Sequence, residues 1–145
     1  MRSLIVDDDF VAISKLVALL APLGQCDAAT NGQQALELFC KALRDTCPYH
    51  LVTIDINMPD ISGITLLGRF QREEQARGAV RARKIMVTAA STTSNVLAAV
   101  TGECDGFLGK PVRRAVLMEK LAALGLLTSS VAQQASNCAA DAETP

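Results

Sequence analysis

The chain has 145 residues, half of them hydrophobic and 20% charged, enough for one buried core but with no room inside it for a second domain of ordinary size. Lys and Arg number 14 against 15 Asp and Glu, and this formal net charge of −1 argues against non-specific attachment to nucleic acid or an anionic membrane. One Tyr, four Phe and no Trp leave few platforms for stacking exposed bases and point to a core of Ala, Leu, Val and Ile.

In chain order, Ser3–Val6 has strand composition and leads into a helical pattern over about Val11–Leu20. A weaker strand at Gln25–Ala29 passes through the turn signal Thr30-Asn31-Gly32 into a helix over Gln33–Leu43, where Ala35, Leu36, Leu38 and Phe39 form an apolar stripe. Leu51–Ile54 is a clearer strand running into Asp55. Pro59, Asp60, Ser62 and Gly63 then break the chain before a helix around Ile64–Glu73. The Arg-rich segment Gln71–Arg83 reads as the end of that helix and a solvated loop. Lys84–Thr88 is a fourth strand, a helix over about Thr93–Thr101 follows, Gly106–Gly109 is a fifth strand and Arg114–Leu124 a last helix. Past residue 124 the apolar pattern fades, so 1–124 is expected to be one domain and 125–145 a flexible C-terminal tail. Strict βα alternation predicts an α/β fold, a five-stranded parallel sheet with helices on both faces and its sites at the strand C-terminal ends.

Cys26, Cys40, Cys47, Cys104 and Cys138 are odd in number and scattered, without the CxxC pairs of zinc or redox motifs, and are expected as reduced thiols. The opening reaches Asp7, Asp8 and Asp9 too early for a secretory signal, and no apolar run approaches a membrane span. A cytoplasmic chain without membrane insertion is expected, free-standing or excised from something longer.

The strand ends carry the chemistry. Asp7, Asp8 and Asp9 follow the first strand, Asp55 ends the third, Thr88 ends the fourth and Lys110 follows the fifth. Carboxylates crowded into one crevice repel, and an oxygen-seeking divalent ion relieves this; Mg2+ is the natural choice where few protein oxygens share the shell with waters and a phosphate. An accessible Asp55 carboxylate can attack phosphorus, while Lys110 offers a mobile point charge and Thr88 a hydroxyl donor to the product. Lys110 precedes Pro111, a place where a cis peptide would set the direction of the lysine.

Taken together, Leu4-Ile5-Val6-Asp7-Asp8-Asp9, Ile54-Asp55-Ile56-Asn57-Met58-Pro59-Asp60-Ile61-Ser62-Gly63, Met86-Val87-Thr88-Ala89-Ala90 and Gly106-Phe107-Leu108-Gly109-Lys110-Pro111 closely resemble the receiver domain of bacterial two-component response regulators, the chemotaxis-regulator type included. The resemblance spans roughly residues 2–124. It implies a flavodoxin-like receiver fold with strand order 2-1-3-4-5, and a signalling switch that takes a phosphoryl group from a phosphohistidine on a histidine kinase or histidine phosphotransfer protein. It implies that Asp55 is the phosphoacceptor and also a metal ligand, Asp8 a direct metal ligand, Asp7 a ligand acting mainly through water, and the Asn57 main-chain carbonyl another ligand, for Mg2+ or a substituting Mn2+. Thr88 and Phe107 take the switch positions, and Asn57 and Ala90 the positions that modulate dephosphorylation. Such a domain assists its own phosphorylation and slow dephosphorylation and turns over no substrate. The downstream effector is unspecified, and no direct nucleic-acid partner is expected.

Several residues invite plainer readings. Asp9 is expected to cap a helix, His50 to be an ordinary strand-edge histidine, and Gly102, Gly106 and Gly109 to serve turns, since they make no P-loop or dinucleotide fingerprint. Phe107 lacks a hydroxyl, so an inward state would rest on apolar burial, and Ala90 cannot orient water, which leaves the lifetime of a phosphorylated state to partner enzymes. The competing classes are a binding module with this fold that signals without phosphorylation, a flavin-binding relative, and a Mg2+-dependent phosphatase. The last would want an Asp-x-Asp pair, which Asp55-Ile56-Asn57 lacks.

Overall fold

The computed structural model describes residues 1–89 and 103–127. Its elements are β1 (Arg2–Val6), α1 (Phe10–Leu20), a 3₁₀ turn (Ala21–Leu23), β2 (Gln25–Ala29), α2 (Gly32–Arg44), β3 (Leu51–Asp55), α3 (Gly63–Arg77), β4 (Arg83–Thr88), β5 (Gly106–Gly109) and α4 (Arg114–Ala123). The helix expected over Thr93–Thr101 lies outside the described residues, as does the tail from residue 128.

All strand pairs are parallel, in the order β2-β1-β3-β4-β5. Each strand feeds apolar side chains alternately to two cores, as its period of two requires. Leu4, Val6, Val52, Ile54 and Met86 meet Ala35 and Phe39 of α2 and Leu66, Leu67 and Phe70 of α3 on one face. Ile5, Leu51, Ile85, Val87 and Leu108 meet Ile13, Leu16 and Leu20 of α1 and Leu117 and Leu121 of α4 on the other. Leu126 also packs into this second core, so tight packing continues past residue 124.

Three helices open on side-chain caps. Asp9, Asn31 and Ser62 accept from the main-chain N–H groups of Val11, Gln34 and Thr65, satisfying donors that a helix start leaves without partners. Asp9 is therefore the cap the sequence predicts. His50 sits at the foot of β3, where its Nδ1 accepts from the Arg2 N–H at 3.0 Å. Beside it Arg2 lies over the Tyr49 ring, 4.7 Å from its centroid, and Tyr49 donates to Asp27 at 2.7 Å.

One expectation needs correction. Helix α3 runs on to Arg77, and within the supposedly solvated segment Glu74 is buried, bonded to the fully buried Lys84 at 2.6 Å and to the Ala82 N–H at 2.6 Å. The Glu74 charge falls in the segment read as solvated and becomes internal because the end of α3 packs against the start of β4, where Lys84 receives it. Cys26, Cys40 and Cys104 are free thiols, as expected.

Candidate functional site

In a sheet of this order the connections from β1 and β3 depart to opposite sides, and the crevice outside their carboxyl ends is where such folds bind ligands. Val6 is in register with Ile54, so Asp7 and Asp55 emerge side by side at that crevice. Asp55 is in turn level with Val87, and Thr88 with Gly109, which brings Thr88 and Lys110 to the same rim. Four residues spread over a hundred positions of sequence thus converge through strand register alone.

Asp7 and Asp55 are buried and Asp8 is exposed, and a carboxylate oxygen from each lies within 4.8 Å of the others. Lys110 Nζ reaches 2.9 Å from Asp7 Oδ2 and 3.5 Å from Asp55 Oδ2. Asp7 Oδ1 accepts the Asp9 N–H at 2.9 Å and Asp55 Oδ1 accepts the Asn57 N–H at 3.2 Å. The buried Asp7 Oδ2 has charge contact with the ammonium but no well-aligned hydrogen bond. A cluster of hard oxygen donors, one of them short of a hydrogen bond, fits a cation that takes few protein ligands and keeps its waters, as Mg2+ does. Asp7, Asp8 and Asp55 are positioned to coordinate it.

Burial and the neighbouring Asp7 charge raise the Asp55 carboxyl to a pKa of about 6, against the opposing pull of Lys110. Burial acts to lower the Lys110 ammonium, but contact with Asp7 and the Asp55 charge outweigh it and hold its pKa above the usual lysine value. The pocket therefore keeps a nucleophilic carboxylate next to a committed cation.

The local chain explains the placement. Ser62 starts α3 and Gly63 lies against the end of β3, donating its N–H to Ile56 O at 2.9 Å; a Cβ at Gly63 would collide with the Asp55 carbonyl oxygen. Lys110 donates its main-chain N–H to Thr88 O at 2.8 Å, and the Lys110–Pro111 peptide is cis. The Thr88 hydroxyl lies 3.4 Å from Leu108 O, and the half-buried Phe107 packs against the α2–α3 core. Asn57 is exposed at the pocket rim, Asp9 serves as the cap described above, and Ala90 lies outside the described residues. A cleft of about 360 Å³, walled by Val11, Ala12, Leu16, Pro111 and Val112, opens from the pocket beside α1. Sequence reasoning did not anticipate this cleft, whose walls come from distant parts of the chain.

A doubly wound parallel sheet with a metal-ready acidic cluster and a lysine at its switch point defines a flavodoxin-like domain of the aspartate-phosphorylating class. Residues 3–122 match the family described as response regulator receiver domain, and the chain belongs to that family. The chemotaxis protein CheY-3 of Vibrio cholerae is 32% identical over 124 residues, an alignment covering 83% of this chain and 88% of CheY-3. The regulatory protein VanRB of Enterococcus faecalis is 28% identical over 135 residues; the match takes in 92% of this chain but only 56% of VanRB. A response regulator receiver domain from Methylobacillus flagellatus superposes with a TM-score of 0.67 at 28% identity, covering 86% of this chain and 98% of that one. Family membership carries phosphoacceptor function in place of conventional turnover, and implies phosphotransfer from a histidine kinase or histidine phosphotransfer partner. Among the described residues, no helix is long and apolar enough to cross a membrane.

Proposed function

We propose that Asp55 is the phosphoacceptor of a cytoplasmic two-component switch. A carboxylate oxygen of Asp55 attacks the phosphorus of a partner's phosphohistidine; the new O–P bond forms as the N–P bond breaks, and the electron pair leaves on the imidazole nitrogen. The observation that carries this reading is the convergence of the Asp7, Asp8 and Asp55 oxygens within 4.8 Å at the switch point. Asp8 and the Asn57 carbonyl would hold Mg2+ directly and Asp7 mainly through water; bound there, the ion screens charge between the carboxylate and the incoming phosphoryl group. Lys110 has the length and charge to leave Asp7 for a phosphoryl oxygen, and the Thr88 hydroxyl, weakly held by Leu108 O, is free to turn toward the same group. Thr88 and Phe107 take the two switch positions on neighbouring strands, and a turn of the Thr88 hydroxyl toward the phosphoryl group is how occupancy would be relayed.

A protein donor accounts for the surface beside the pocket. Phe10 and Val11 are 73% and 75% exposed at the start of α1, next to the apolar cleft, and would lie against a helix that presents the phosphohistidine.

Intact-mass measurement after incubation with Mg2+ and a small phosphoryl donor tests the assignment. The wild type is expected to gain one phosphoryl adduct and Asp55→Asn none. No adduct on the wild type, or an equal adduct on the variant, rejects it.

A further inference from the structure

The loop that leaves Asp55 is fastened at two points. At its base Gly63 N–H donates to Ile56 O at 2.9 Å. At its tip Asp60 Oδ2 accepts the first main-chain N–H of α2, that of Gly32, at 2.8 Å. The second fastening is also steric: Gly32 is buried, and a Cβ on it would collide with the Ile61 side chain. Of the three residues between the fastenings, Asn57, Met58 and Pro59, Met58 is anchored in the α2–α3 core. Asn57 presents the carbonyl assigned above to the metal. Gly32 N–H is one of the donors that a helix start leaves without an internal partner, and the positive end of the helix favours a carboxylate there. The other exposed ends of this turn have their own partners. Asn31 Oδ1 accepts the Gln34 N–H at 2.8 Å, and Gln34 Oε1 accepts the Thr30 N–H at 3.0 Å. Asp60 is thus not needed to open α2, yet it is the carboxylate that ties α2 to the phosphoacceptor loop.

We propose that Asp60, held by the first amide of α2 at Gly32, is a positioning residue that fixes the Asn57 carbonyl for the divalent metal. The inference rests on the reading of Asp55 and Asn57 given above. Its consequence is that metal affinity depends on a contact made at the far end of the loop, outside the ligand set.

Isothermal titration of the full chain with Mg2+ measures this directly, alongside the initial rate of phosphorylation by a small donor. Asp60→Ala is expected to weaken Mg2+ binding about tenfold, the low end of the loss seen when a partner behind a metal ligand is removed. The phosphorylation rate should fall at low Mg2+ and return to near the wild-type value at saturating Mg2+. Asp60→Asn keeps an oxygen acceptor for Gly32 and should recover most of the affinity, whereas Gly32→Ala should lose it as Asp60→Ala does. Asn31→Ala removes a cap from the same helix without touching the loop, so it should lower the melting temperature and leave Mg2+ affinity unchanged. If Asp60→Ala binds Mg2+ as the wild type does, or Asn31→Ala weakens binding equally, Asp60 has no positioning role, while the wild-type phosphoryl adduct still upholds the reading of Asp55. A wild type that neither binds Mg2+ nor takes up phosphate overturns both.

Discussion

Asp55 sets function against stability within one side chain. An unperturbed aspartate titrates near pH ~3.9, whereas burial and Asp7 raise Asp55 to about 6 in the fold. Folding therefore takes up a proton between those values, so the Asp55 contribution to stability falls as pH rises through that window and the full penalty applies above it. Metal-free Asp55→Asn is accordingly expected to be more stable than the wild type near neutral pH by about 1–2 kcal/mol, allowing for solvent screening, with the gain vanishing near pH ~4. Thermal melts in chelator across that range measure the difference; a gain that persists unchanged in acid would refute the account. Gly63 is constrained by space where Asp55 is constrained by charge. With the Asp55 carbonyl oxygen in the way of a Cβ, Gly63→Ala is expected to cost about 1–3 kcal/mol in denaturant melts and to displace the phosphoacceptor loop.

Helix α3 and strand β4 are joined by a bond unrelated to the pocket. Lys84 is fully buried, and its Nζ donates to Glu74 at 2.6 Å and to Ala82 O at 2.9 Å. Burial lowers the lysine pKa against the supporting charge of Glu74, so neither partner is comfortable alone. Removing one partner, as in Glu74→Ala, strands the other charge and is expected to cost about 3–5 kcal/mol, while the paired change Glu74→Leu with Lys84→Met should cost far less or stabilise. Equal losses in the single and paired variants, read from chemical denaturation, would show that packing and not charge dominates there. This ion pair also marks the limit of what is legible at the level of elements. Strand ends at Val6, Asp55 and Thr88 are readable because β-rich runs give way there to acids or turn formers or lose their β-branched pattern, and α1 starts where Asp9 says it should, whereas the Ser62 cap of α3 read only as part of a chain break. Glu74 fell in the segment read as solvated because its charge becomes internal only when a partner ten positions away, Lys84, packs onto it. The Asp60–Gly32 fastening is hidden for the same reason: its 2.8 Å bond crosses 28 residues of sequence, and Gly32 looks only like part of a turn signal.

At the scale of the whole chain, a net charge of −1 hides a local concentration of acid. Parallel topology brings three carboxylates to one crevice, where Lys110 contacts two of them, Asp7 and Asp55. The individual acids were visible as strand-end residues, and their shared place followed once βα alternation required a parallel sheet; the exact partners of Lys110 did not, because a long side chain can reach several acceptors. Such a site makes the stability of the entire domain depend on a cation. An ion that binds only the folded state adds stability by mass action, about 2.7 kcal/mol at a hundredfold excess over its dissociation constant, and each kcal/mol raises the midpoint of a domain this size by roughly 2–4 °C or somewhat more. Mg2+ at that excess is therefore expected to raise the wild-type melting temperature by about 5–10 °C, and chelator to reverse the gain. Asp8→Ala, which removes an exposed ligand without disturbing the core, should melt like the metal-free wild type and lose most of this response. Asp55→Asn should begin higher in chelator and respond less, so its melting curve and that of the wild type exchange order as Mg2+ is added. Parallel curves that never cross would mean that the repulsion stored at the strand ends is not what the metal relieves.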